Sequence, residues 1–165
     1  MRIPKIFIGV GGVVAFLAMC LFATSSLSSF AQTDPFIGTW KLNLAKSKFS
    51  PGPPPKSQTA TYEAVGQGLK ITVKITDAKG KQIEAQSTAN FDGKDYPVTG
   101  NPDFDTVVQK RINANTIEFT RKKAGKVVST ATSVVSKDGK TRTGTEKGVN
   151  AKGEKYSNTA VFEKQ

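Results

Sequence analysis

Eight consecutive residues constrain this chain more than any others. Leu69, Ile71, Val73 and Ile75 alternate with Lys70, Thr72, Lys74 and Thr76. Side chains of an extended backbone point to opposite faces in turn, so strict period two gives one apolar and one wet face. A helix would scatter the same residues around its axis. The pattern returns after the turn signal Asp77-Ala78-Lys79-Gly80-Lys81. Ile83, Ala85, Ser87, Ala89 and Phe91 there alternate with Gln82, Glu84, Gln86, Thr88 and Asn90. Two such strands joined by a Gly-containing turn read as a hairpin.

Turn chemistry of this kind continues to the end of the chain. Asp92-Gly93-Lys94, Asn113-Ala114-Asn115, Ala124-Gly125-Lys126, Asp138-Gly139-Lys140 and Ala151-Lys152-Gly153 separate segments rich in Val, Ile, Thr, Phe and Tyr. Gly and Asn tolerate the positive φ that tight hairpins demand. The expected strands are 36–42, 59–65, 69–76, 82–91, 105–112, 116–122, 127–136, 141–149 and 155–163, with a short extra one near Tyr96–Val98. No apolar stripe of helical period appears after residue 35. The expected fold is therefore all-β: an up-and-down antiparallel barrel of eight to ten strands. Closure removes exposed sheet edges. Two packed open sheets are the alternative.

The first 31 residues read as an address. Arg2 and Lys5 precede an apolar run from about Ile6 to Ala23, and Ser29-Phe30-Ala31 offers the small residues of a cleavage site. A signal peptide at 1–31 leaves a domain at 32–165, extracytoplasmic and either periplasmic or secreted. If cleavage fails, the segment, almost long enough to span a bilayer, is a membrane anchor. Acylation of Cys20 would need a small residue where Met19 stands. Removing the segment takes Arg2, Lys5 and Cys20, and leaves 22 basic against 13 acidic residues, a formal charge of +9. Residues 32–165 then hold neither Cys nor His, so no disulfide staples the domain and a buried core must hold it.

Asn43 to Gln58 breaks the rhythm. Pro51, Pro53, Pro54 and Pro55 exclude a helix there and favour an extended, polyproline-like run. It reads as a stiff surface loop or as a lid over one barrel mouth. Asn101-Pro102-Asp103-Phe104-Asp105 is dense in oxygen ligands but lacks the glycine and distal Glu of a calcium loop, so an Asx turn is expected and no metal.

Phe36-Ile37-Gly38-Thr39-Trp40-Lys41-Leu42 opens the domain, and Thr159-Ala160-Val161-Phe162-Glu163-Lys164 closes it. A Gly-x-Trp on the first strand of a meander resembles the calycin group, which holds the lipocalins and the fatty-acid-binding proteins, and it looks most like the lipocalin-like proteins exported by bacteria. The resemblance covers about residues 36–165. It implies that Trp40, with Gly38 beside it, closes the barrel floor beneath a late-strand cation: Arg142, or else Lys164. Such a pair contributes about 1–2 kcal/mol when shielded from water. The resemblance also shows departures. Ala160 and Phe162 stand where fatty-acid-binding proteins carry an Arg-x-Tyr carboxylate clamp. The proline stretch replaces their helical portal.

The inferred function is binding of a small apolar or amphipathic molecule without catalysis. Candidate ligand-binding residues are Ile83, Ala85, Phe91, Phe119, Arg121 and Tyr156; the competing reading is that large side chains simply fill the barrel. Arg111 and Arg121 each follow an alternating row. Either they point inward, which requires anionic partners, or they end their strands in water. The absence of His excludes Ser-His-Asp and Cys-His triads and His-ligated metals, and no cofactor is expected. The scattered lysines suit anionic lipid or polysaccharide, and an envelope or matrix protein binding anionic polymers is the alternative function. Nucleic acid is not expected: the ten aromatics of residues 32–165 fall mostly on apolar rows, not on an exposed stacking face.

Overall fold

The computed structural model describes residues 34–150 and 152–165. The expected signal peptide at 1–31 lies outside the described residues. Ten strands follow one another: β1 (Gly38–Ser50), β2 (Ser57–Val65), β3 (Gly68–Thr76), β4 (Gln82–Asn90), β5 (Tyr96–Thr99), β6 (Thr106–Asn113), β7 (Thr116–Lys123), β8 (Lys126–Val135), β9 (Thr141–Val149) and β10 (Lys155–Lys164). Each pairs antiparallel with its sequence neighbour, and β1 also pairs with β10, so the sheet closes into an up-and-down barrel. The open sandwich is thereby excluded, and the short strand near Tyr96 is β5.

Closure explains the one element that the sequence reading cut short. The expected first strand stops at residue 42, but β1 runs on to Ser50. Between Asn43 and Lys48 its register against β10 slips, so several residues of β1 bulge out. Polar side chains repair the broken ladder. Ser47 Oγ donates to the Asn43 carbonyl at 2.6 Å and accepts from the Val161 amide at 2.9 Å. Asn43 Nδ2 donates to Glu163 at 2.9 Å. A bulge bends a strand and strengthens its twist, which suits one that must meet the far edge of its own sheet. The irregular run shrinks to the segment around Pro51–Pro55.

The ends of the barrel differ because hairpin loops alternate between them. The β2–β3, β4–β5, β6–β7 and β8–β9 connections share one end with residues 34–37, and this end is filled. Phe36, Trp40, Leu69, Ile117 and Val135 are fully buried there. Each removes enough apolar surface from water to contribute about 1.5–3 kcal/mol. Burial then fades along the strands: Leu69 is 1% exposed and Ile71 7%, while Val73 and Ile75, on the same face, are only half-buried. The outward Lys70 and Lys74 pair with Glu63 and Glu84 on neighbouring strands. The fading marks a barrel that is solid at its floor and hollow above.

The floor brings Gly38, Trp40 and Arg142 together. Trp40 Nε1 donates to the Phe36 carbonyl at 2.8 Å. Lys164 Nζ lies 5.1 Å from the indole ring and the Arg142 guanidinium 5.8 Å, so both cations proposed for Trp40 face it. A Cβ on Gly38 would fall 2.9 Å from Lys164 Cε, so the glycine makes room for the lysine to reach the indole.

Candidate ligand-binding site

A cavity of about 830 Å³ occupies the upper barrel. Its mouth is ringed by the β1–β2, β3–β4, β5–β6 and β9–β10 connections. Pro51, Pro53 and Pro55 and the ring of Phe104 stand at this rim. The proline run therefore borders the opening, where a lid would sit. One wall, from β3 and β4, is apolar: Ile71, Val73, Ile75, Ile83 and Ala85. The opposite wall, from β7 to β10, carries polar and charged groups, among them Arg121, Ser129, Glu146 and Tyr156, beside apolar residues such as Phe119 and Phe162.

Strand register arranges that polar wall in four levels, because residues paired across an antiparallel ladder share a face. The highest level runs Arg121, Ser129, Gly148, Tyr156. Beneath it lie Phe119, Ala131, Glu146 and Asn158, and then Ile117, Ser133, Gly144 and Ala160. The lowest level is Val135, Arg142, Phe162 and Leu42, which rests on the floor.

Charges inside the wall are arranged unequally. Arg121 Nη1 lies 2.6 Å from Glu146 Oε1, and Tyr156 Oη donates to the same oxygen at 2.7 Å. Phe104 and Phe119 flank the Arg121 guanidinium at 5.1 and 5.9 Å. Burial opposes the ionisation of Glu146, but Arg121, Tyr156 and Ser129 outweigh it and hold its pKa below the usual value. Burial and the neighbouring Glu146 charge push the Tyr156 phenol up to about 12. Gly148 makes this cluster fit, since a Cβ there would meet the Val128 carbonyl oxygen at 2.5 Å, Ser129 Cβ at 2.7 Å and Tyr156 Oη at 2.8 Å.

Among the described residues Arg142 has no such partner. It is 5% exposed and lines the base of the cavity. Its Nη1 donates to Ser133 Oγ at 3.2 Å, and its buried Nε meets no acceptor. The rings of Phe162, Tyr62 and Trp40 surround it, Phe162 nearest at 3.9 Å. Loss of water pulls its pKa below the ordinary arginine value.

Five of the six candidate residues come together here: Ile83, Ala85, Phe119, Arg121 and Tyr156 all line the cavity. Phe91 does not, and this is a correction. Its row descends from mouth to floor, and Ala89 is already sealed at 1% exposure. Phe91 lies past the end of β4, where its ring stacks 4.2 Å from the Arg111 guanidinium. Arg111 and Arg121 both point inward and both have carboxylates, so the reading that leaves them in water is corrected too. Arg111 forms an ion pair with Asp34, which also caps the Phe36 amide at 3.0 Å. The Asx turn is present: Asn101 Oδ1 accepts from the amides of Asp103 at 2.8 Å and Phe104 at 3.3 Å.

Sequence reasoning missed Glu146, Ser129 and Ser133, and gave Arg142 a floor role alone. The available signal was parity on β9, where Arg142, Gly144, Glu146 and Gly148 share one face.

No protein-family model matches the chain, and a search of curated proteins finds no match. Among solved structures it is similar to a zebrafish ileal bile acid-binding protein complexed with cholic acid, at 12% identity and a TM-score of 0.47. That alignment covers 79% of this chain and 99% of the other. The fold described above rests on the strand pairing of this chain alone.

Proposed function

We propose that this protein is an exported carrier of the calycin type that holds a small apolar or amphipathic molecule without transforming it. The observation that carries the reading is the cavity of about 830 Å³, apolar on one wall, sealed below and ringed by loops above. Ligand pockets commonly span about 300–1,000 Å³ with mostly apolar linings and a few placed polar groups. Export is supported by the charge-free apolar run that follows Arg2 and Lys5 and by the small residues before Gln32. Holding without catalysis is supported by a domain that carries neither His nor Cys.

The test uses Nile red, an uncharged dye whose emission rises and shifts blue in apolar surroundings. The protein expressed from its full-length sequence and purified from the envelope fraction should bind it saturably. Phe119→Trp, which thickens the cavity wall, should weaken that binding. A dye response that never saturates would sink the carrier reading. The mass of the same preparation tests export. A start at Gln32 supports cleavage and release, whereas an intact Met1 makes the membrane the first partner to examine.

A second reading is favoured by the exposed lysines at the mouth end, Lys56, Lys79, Lys81, Lys152 and Lys155. They suit anionic lipid or polysaccharide outside the cavity. Binding of that kind weakens as salt rises, whereas seating an apolar molecule in the barrel hardly responds.

A further inference from the structure

We propose that the base of the cavity is an anion subsite, where Arg142 and Ser133 take the carboxylate of an amphipathic ligand that lies head-down in the barrel. This deepens the carrier reading and rests on it.

The argument begins with what Arg142 lacks. A guanidinium presents five N–H donors in its plane and accepts nothing. In Arg142 one donor reaches Ser133 Oγ at 3.2 Å, and Nε is buried without an acceptor. Aromatic faces at 3.9–5.8 Å ease the burial of its charge, but they supply no in-plane acceptor. No Asp or Glu forms a salt bridge with it among the described residues. The other inward arginines are each matched, Arg121 by Glu146 and Arg111 by Asp34. Among the described residues the base of the barrel interior therefore keeps an uncompensated positive charge. Burying an unpaired charge is costly, and a planar fork of donors fits a carboxylate's two oxygens.

Space is the second observation. The level directly above Arg142 on β8, β9 and β10 is Ser133, Gly144 and Ala160, all small. Even an added Cβ at Gly144 would meet nothing closer than 3.9 Å, one of those atoms being Arg142 Nη1. A head group descending the cavity thus meets a shelf of small side chains with the guanidinium beneath. The tail is left against the apolar wall of Val73, Ile75 and Ile83.

The test is displacement of Nile red by decanoate and by decanol at neutral pH. The two chains match, so the comparison isolates the charge. The proposal expects decanoate to bind about tenfold tighter or better than decanol, as a charge-assisted pair in a desolvated site should. Arg142→Met should abolish that preference, weakening decanoate at least tenfold more than decanol. Gly144→Ala narrows the shelf without removing the charge. It should weaken decanoate selectively, and it carries the test if Arg142→Met does not fold. Equal or better binding of decanol by the parent protein overturns the subsite and leaves the carrier reading standing. So does Arg142→Met weakening both ligands alike, which would mark the arginine as floor packing only. If Nile red itself does not bind saturably, the carrier reading fails and the subsite with it.

Discussion

Gly148 and Gly144 lie four residues apart on β9, on the same inward face and both half-buried. The structure predicts opposite outcomes for the same substitution at the two. In Gly148→Ala the new methyl meets the Val128 carbonyl oxygen at 2.5 Å and Ser129 Cβ at 2.7 Å, besides Tyr156 Oη at 2.8 Å. Two of these belong to the paired strand β8, and the carbonyl is held in the backbone, so no flexible side chain can simply swing away. Overpacking of this kind costs about 1–3 kcal/mol. Replacing glycine also restricts the unfolded chain, which returns about 0.4–1 kcal/mol. The net loss is about 1–2 kcal/mol, a fall in Tm of about 4–8 °C for a domain of this size. Gly144→Ala enjoys the same unfolded-state gain, but its methyl sits 3.9 Å from its nearest neighbours. That variant should match or slightly exceed the parent. Thermal unfolding followed by far-ultraviolet circular dichroism decides it. Strand propensity and unfolded-state effects are common to both variants, so they cancel in the comparison. If the two midpoints move in parallel, the close approach of β8, β9 and Tyr156 is not present in the molecule.

Glu146 gives a pH signature. Its folded pKa lies below the ordinary 4.5, so its contribution to stability is complete above that value and fades as pH falls through the folded one. Glu146→Gln should cost about 1–3 kcal/mol at neutral pH by leaving Arg121 unmatched, with the deficit shrinking in acid; denaturant melts at several pH values would read it, and a constant deficit would refute it. Tyr156, pushed up to about 12, should give a late step in a spectrophotometric titration, and Tyr156→Phe should remove that step. Because the raised pKa favours the protonated fold, the contribution of Tyr156 holds below its ordinary value of 10 and is lost as pH climbs towards 12. Gln109 is 0% exposed, and neither its amide nitrogen nor its oxygen meets a partner among the described residues. Gln109→Met, similar in volume and free of that unmet demand, should raise stability by about 1 kcal/mol; a lower melting temperature would count against it.

What the sequence reveals about this barrel depends on what contrast each strand carries. On β3 and β4 apolar and polar residues alternate, so parity names the inward face directly, and the hairpin turns between strands are local chemistry. Those parts of the fold are legible. Parity gives a face, however, and says nothing of depth. Phe91 shares its face with Ile83 and Ala85, yet the floor crosses its row at Ala89, and only the register of neighbouring strands sets that height. The continuation of β1 is illegible for a related reason. Its bulge is stitched by Ser47 to Val161, more than a hundred residues away. The polar wall is the hardest part. On β9 the inward residues Arg142, Gly144, Glu146 and Gly148 alternate with the outward Thr143, Thr145 and Lys147, and neither set is apolar. A search for apolar rows therefore finds the wall that suits a ligand's tail and passes over the wall that suits its head. The same blindness hides the ion pairs. Asp34 stands 77 residues from Arg111, and Glu146 reaches Arg121 only because the chain folds back twice, with β8 between their strands. Arg142 differs from both in having no salt-bridge partner among the described residues, and that is a property of the closed barrel which no spacing along the chain encodes.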